Sequence, residues 1–300
     1  MIYALPFPDL SPEIFAFELG SFRIALRWYA LAYIAGLLIG LWIIKRAMRM
    51  PKLWPANTPP MTAFQVESLL TWVILGVILG GRLGFVLFYQ PAYYAANPGD
   101  ILKLWQGGMA FHGGLLGVIV AVALFCRTYH LSPGSVADAM ALATPPGLLL
   151  GRLANFINGE LWGRPSEAPW AVIFPGARAQ ICPPDWQGLC ARHPSQLYEA
   201  ALEGLVLGLA LWILAFRKDW LKRPWLICGS FFLGYGLARF GVEHFRQADP
   251  QFISADNPWG HVLRFGEAGI TMGQLLSLPM VAIGAAVILW AFWRPHRKAA

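Results

Sequence analysis

Charge is what this chain has least of. Only 13% of its 300 residues are Asp, Glu, Lys or Arg, about half the share usual in a soluble domain. With 57% hydrophobic residues and a mean hydropathy of +0.52, that scarcity excludes an ordinary solvated globule. The four cysteines form no CxxC pair, and neither an HExxH run nor a carboxylate-rich cluster occurs. No metal site and no cofactor are therefore expected. The absence of GxSxG removes the nucleophile elbow of serine hydrolases. No low-complexity tract or fixed-period repeat is visible. The opening run MIYALPFPDLSPEIFAFELG carries acids and prolines and no basic start. It is not read as a cleavable leader, so the first apolar helix is expected to serve as an uncleaved insertion signal.

What the chain does have is long, unalternating apolar runs. They predict an all-α integral membrane protein whose seven transmembrane helices lie near 24–44, 66–88, 111–127, 134–151, 196–216, 225–244 and 270–293. The chain is read as one polytopic membrane domain over 1–300. A small segment at 152–195, between spans four and five, is expected on the periplasmic side. The net charge is +7. Basic residues concentrate in KRAMRMPK (45–52), RTYH (127–130), RKDWLKR (217–223) and the tail RPHRK (294–298). The positive-inside rule then places the N-terminus outside and the C-terminus in the cytoplasm. The same rule accounts for the excess charge without nucleic acid, because no basic stripe is interleaved with exposed aromatics.

This topology brings scattered polar residues to one level. Tyr29 lies early in span one, Arg82 late in span two, and His112 opens span three. Arg152 and Asn155 close span four, His193 and Tyr198 start span five, and Arg239 and Glu243 end span six. All fall at the outer edge of the hydrocarbon, whereas the cytoplasmic halves hold few such groups. Each charge costs roughly 2.5–3.5 kcal/mol to insert, so a shared, water-filled cavity is expected. Single residues keep plainer readings. Arg82 could snorkel to the headgroups. His112, within GGMAFHGGLLG (107–117), could cap or pack a helix. Glu160 could pair with Arg164 at the helix exit. His193 and Tyr198, in RHPSQLYEAALEG (192–204), could be structural, with Ser195 or Glu199 capping the helix. Arg239 and Glu243 stand at the i, i+4 spacing of an ion pair. Cys126 and Cys228 read as packing residues. Cys182 and Cys190 lie in the external segment, where a disulfide is permitted but loop geometry decides it.

The runs GRLANFINGELWG (151–163), HGGL (112–115), RWYAL (27–31), GGRLG (80–84) and HPSQLYEA (193–200) together resemble the bacterial prolipoprotein diacylglyceryl transferase family, in order and over nearly the whole chain. The cysteine-bearing stretch 176–191 departs from that pattern as an insertion. The resemblance implies an inner-membrane enzyme with its active site toward the periplasmic face. It implies transfer of the sn-1,2-diacylglyceryl group from phosphatidylglycerol to the lipobox cysteine of a prolipoprotein signal peptide. The products are a thioether and glycerol 1-phosphate. It also implies catalytic roles for His112, as base, and for Arg152 and Arg239, as phosphate holders. Tyr29, Arg82, Asn155, Glu160, Gly163, His193, Tyr198 and Glu243 are assigned to substrate binding. Glu243 is expected to orient Arg239, and Gly163 to permit a turn. A lipid or anion transporter is the rival class; against it, seven spans do not divide into two halves. A structural subunit, whose polar layer meets a partner, is the third reading.

Overall fold

A computed structural model describes residues 4–20, 22–183, 186–254, 256–266 and 268–293. The basic tail at 294–298 lies outside them. Helix α1 (Trp28–Met48) is followed by α2 (Ala63–Phe88), whose first turn is closed by a reciprocal box between Thr62 and Gln65. A short helix α3 (Pro91–Ala96) leads through a loop to α4 (Phe111–Thr128). Then come α5 (Pro133–Ala143) and α6 (Pro145–Ile157). Helix α7 (Ser195–Glu199), a π-helical stretch Ala200–Val206 and α8 (Leu207–Arg217) run on as one rod. Helices α9 (Leu226–Val242) and α10 (Met272–Trp293) complete the bundle.

Among the described residues, five helical stretches are long and apolar enough to cross a membrane: Trp28–Met48, Ala63–Phe88, Phe111–Thr128, Ser195–Arg217 and Met272–Trp293. Leu226–Val242 is apolar but shorter. The run expected as one fourth span is two helices. Thr144 ends the first, and Pro145 cannot donate the bond that would continue it.

The fold is not wholly helical. Strands β2 (Glu13–Leu19) and β3 (Phe22–Arg27) form an antiparallel hairpin that runs straight into α1. Strands β5 (His261–Phe265) and β6 (Ala268–Thr271) form another, ahead of α10. Strand β1 (Leu5–Pro6) pairs in parallel with β4 (Val172–Ile173). Alternation in EIFAFEL and FRIALR, with β-branched and aromatic residues, favours strand over helix.

Glycines set the helix spacing. Gly76, Gly80 and Gly84 of α2 lie against Gly113 and Gly117 of α4, so a Cβ at any of them would strike opposing backbone. Small residues at four-residue steps let two backbones approach in this way. The apolar core concentrates at the end that carries the basic loops, around Trp54, Phe125, Val136 and Leu221. Asp138 is fully buried there and accepts bonds from the Trp225 and Cys228 amides at 2.7 Å each, capping α9. The expectation of few polar groups at that end therefore needs this exception.

Helix α6 continues to Ile157, so the first six residues of the segment expected at 152–195 are helical. Beyond them, Cys182 and Cys190 form a disulfide. Phe7, Phe156 and Phe174 pack ring on ring beneath the segment.

Candidate active site

Three helices converge on one set of ion pairs. Helix α6 presents Arg152. The join of α7 with the π-helical stretch presents Glu199 and Glu203, four residues apart. Helix α9 presents Arg239 and, a turn later, Glu243, with Arg246 just past its end. Glu199 is the hub. Its Oε2 lies 2.7 Å from Arg152 Nε, an ion pair without hydrogen-bond alignment. Its Oε1 accepts from Arg239 Nη1 at 2.9 Å and from Arg246 Nη1. Glu243 Oε2 lies 3.0 Å from Arg239 Nη2 and 3.3 Å from Arg246 Nε. Glu203 stands back, 3.7 Å from Arg152 Nη2. The Glu199 and Glu203 side chains are 1% and 0% exposed, while those of Arg152 and Arg239 keep 21% and 19%. The carboxylates thus form the floor, and the guanidinium edges face upward. Burial works against the charge on Arg246, but Glu199 and Glu243 outweigh it and hold its pKa above the ordinary arginine value.

The π-helical stretch belongs to this arrangement. Its wide turn seats Gly204 against Leu149 of α6, where any Cβ would collide. That closeness carries Glu199 and Glu203 to Arg152. Such π-bulges recur at functional positions.

A cavity of about 550 Å³ opens beside the cluster. Tyr29, Arg152, Asn155 and Leu161 line one end of it, and Ile44, Val66 and Leu69 line the other. Apolar side chains make up nearly all the wall between. Tyr29 Oη and Tyr33 Oη are 3.1 Å apart. Asn155 and Asn158 both donate to Glu160 Oε1, at 2.9 and 3.1 Å. Glu160 is therefore tied to the two asparagines, while Arg164 donates to Trp259 O and stacks on that ring.

The expected single chamber is met in part. Arg152 belongs to both the cavity and the ion cluster, and Arg239 shares Glu199 with it. His112 is exposed in the first turn of α4 and does not line the cavity, although Phe111 beside it does. His193 and Tyr198 form a separate group. Trp170 Nε1 donates to Tyr198 Oη at 2.7 Å, Tyr198 Oη is 3.1 Å from His193 Nδ1, and Phe245 closes on both rings. Burial pulls the His193 pKa below the usual histidine value.

Arg82 does not snorkel. It is buried, and its five donors are spent on the carbonyls of Asp100, Ile101, Lys103, Gly107 and Gly108, with Tyr94 stacked over the guanidinium. It holds the loop that leads into α4. Lysine cannot fork to five acceptors. Arg82→Lys is therefore expected to cost about 2–3 kcal/mol by leaving partly buried carbonyls of the loop before α4 without their partners. A thermal melt of the detergent-solubilised protein measures this; an unchanged melting temperature would contradict the loop-holding role.

Gly163 is not a turn residue either. Its φ is not among the positive ones, and a Cβ would collide with the His193 and Phe245 carbonyls. It sits where three chain segments cross: its amide donates to His193 O at 2.9 Å, and it bridges to Arg246.

Glu203 and Arg246 were not singled out from the sequence, and Glu199 was read only as a possible helix cap. Two acids four apart inside an apolar span were a visible signal for the two glutamates. Arg246 closes the same LARFGVEHFR run that holds Arg239.

The family model described as prolipoprotein diacylglyceryl transferase matches residues 14–290. A Ruegeria pomeroyi protein named phosphatidylglycerol--prolipoprotein diacylglyceryl transferase is 63% identical over 96% of this chain and 97% of its own length. Proteins of the same name from Roseobacter denitrificans and Brucella canis are 58% and 45% identical. They cover 98% and 99% of this chain and 99% and 96% of their own lengths.

Proposed function

Since the chain belongs to the prolipoprotein diacylglyceryl transferase family, we infer that it is a multi-pass membrane transferase. It moves the sn-1,2-diacylglyceryl group of phosphatidylglycerol to the lipobox cysteine of a prolipoprotein, the first step of lipoprotein maturation. One observation carries this reading beyond the names of the relatives. A long apolar cavity ends at Arg152, and Arg152 is coupled through Glu199 to Arg239 and Arg246. Acyl chains fit the apolar length, and a phosphodiester fits the guanidinium end.

The chemistry is a substitution. The substrate thiol loses its proton, and the thiolate attacks the glyceryl carbon that bears the phosphate ester. The C–S bond forms as the C–O bond breaks, and glycerol 1-phosphate leaves with the electron pair. The leaving phosphate gains negative charge, which Arg152 and Arg239 are placed to stabilise. Such preorganised donors are worth about 3–4 kcal/mol each. The attacking thiol belongs to the substrate, which needs to be only partly thiolate near neutral pH. His112 is kept as the proton acceptor, one residue from the cavity wall. Tyr29 and Asn155 are kept as headgroup contacts. The reaction involves no redox step and needs no cofactor.

The finer topology belongs to the same proposal. Helices α5 and α6 together make the fourth crossing and α9 the sixth, giving seven. The N-terminus and the site face the periplasm of an inner membrane, and the C-terminus faces the cytoplasm. Residues 1–300 form one membrane domain, with the 152–195 segment as its periplasmic part.

Purified protein given phosphatidylglycerol and a lipobox peptide is expected to yield a thioether-linked diacylglyceryl peptide and equimolar glycerol 1-phosphate, read by mass spectrometry. Arg239→Ala and His112→Ala are each expected to lower kcat by about 10²–10³-fold. No product from the wild-type protein with a competent peptide would overturn the assignment. Full activity in both variants would overturn the mechanism.

A further inference from the structure

The carboxylate of Glu243 lies directly on the first turn of α10. A Cβ built on Gly273 falls about 2.5 Å from both of its oxygens. No other residue type leaves that space, since every L side chain begins with this atom. The end of a flexible side chain would ordinarily swing aside. Glu243 is not free to do so: it is buried, and its Oε2 is ion-paired with Arg239 at 3.0 Å and Arg246 at 3.3 Å.

Gly273 cannot retreat either. The start of α10 is set by a reciprocal box, in which Thr271 N donates to Gln274 Oε1 at 3.1 Å and Gln274 N donates to Thr271 Oγ1 at 3.3 Å. The Gly273 carbonyl accepts from Ser277 Oγ at 2.7 Å. Helix α10 is also pressed on α9, with Gly236 against Ser277 and Val281, and Gly284 against Gly229 and Leu233. Carboxylate and helix start are thus both fixed, with room between them for a hydrogen and nothing larger. The positive end of the helix also favours the negative charge placed there.

We propose that Gly273 is a positioning residue of the transfer site: its missing side chain seats the Glu243 carboxylate, and that carboxylate aims Arg239 and Arg246. The proposal rests on the transferase reading for its activity readout. The substitution Gly273→Ala pushes the carboxylate off its seat and turns the two guanidiniums without touching substrate. Misplacement of about 1 Å at a reacting centre costs about a hundredfold.

Four proteins are compared in detergent with phosphatidylglycerol and a lipobox peptide: wild type, Gly273→Ala, Glu243→Asp and the double variant. The expected result is a kcat about a hundredfold lower for Gly273→Ala, with little change in KM. The shorter aspartate makes room for the new methyl group, so the double variant is expected to exceed Gly273→Ala by about tenfold. A folded Gly273→Ala with wild-type kcat overturns the proposal, and so does a double variant no better than Gly273→Ala. If Gly273→Ala melts early, recovery of melting temperature and product in the double variant supports the proposal, and a double variant that melts as early overturns it. Wild-type protein that forms no product sinks the transferase reading alone. Melting temperatures then decide the seat: a double variant above the sum of the two single losses supports it, and simple additivity overturns it.

Discussion

Glu199→Gln is expected to abolish transfer and to destabilise the fold at the same time. Glu199 is the acid that touches all three arginines, Arg152 on α6, Arg239 on α9 and Arg246 beyond it. Glutamine keeps the shape but removes the charge, leaving three partly desolvated guanidiniums facing one another. Breaking one side of a buried ion pair costs about 3–5 kcal/mol. Loss of aim in Arg152 and Arg239 should lower kcat by a further 10²–10³-fold, on the order expected for misplaced charge-stabilising donors. Melting temperature and product formation test the two halves separately. Glu203→Gln serves as the contrast. Glu203 sits 3.7 Å from Arg152 and has no hydrogen-bond partner at either oxygen, so its loss should be much milder. Equal effects of the two substitutions would show that Glu199 is not the hub.

The second large effect is expected away from the arginine cluster, at Arg192. This side chain is 2% exposed and meets only neutral acceptors. Its Nε donates to Ala179 O at 2.6 Å, and its Nη2 to Ile181 O. Its Nη1 reaches Gln247 Oε1 at 3.1 Å and Gly163 O at 3.3 Å. The Trp162 ring covers its face at 4.0 Å. Burial lowers its pKa to about 10, which still leaves it charged at neutral pH. Arg192→Met preserves length and removes every donor. The carbonyls left behind belong to the disulfide-bearing loop and to Gly163, so the expected cost is about 3–5 kcal/mol. Faster reduction and thiol labelling of Cys182 and Cys190 should accompany the lower melting temperature. A variant that melts within a degree or two of wild type, with the disulfide equally protected, would rule out this bracing role.

Much of the bundle could be read from the chain because apolar length is a physical requirement. Runs such as AYIAGLLIGLWII and LGVILGGRLGFVLF can satisfy their backbones in lipid only as helices. The hairpins were not legible: EIFAFEL carries its alternation inside a stretch already occupied by prolines and acids. The break at Thr144 was written in the sequence as TPP, yet the apolar content on both sides masked it. At the site, Arg152, Arg239 and Glu243 could be found from helical spacing. Glu199 was harder. It stands near the start of a span, where an acid is readily taken for a cap, and only the approach of α6 makes it a hub. Arg82 shows the opposite error. A charged residue late in a span suggested a ligand contact, whereas its partners are carbonyls of a loop 18 to 26 positions downstream, which local patterning cannot reveal. Gly163 was expected to permit a turn, but the positive φ angles fall on Gly159 and Leu161; the constraint on Gly163 comes from chain segments distant in sequence.

The parallel pairing of Leu5–Pro6 with Val172–Ile173 bears on biosynthesis. Leu5 and Pro6 have no strand partner until the chain has been made as far as Val172 and Ile173. The pairing is therefore made late, between two pieces separated in the chain by helices α1 to α6. A ribosome-stalled intermediate ending before residue 172 should leave its leading strand open to protease, and one that extends past Arg192 should shield it.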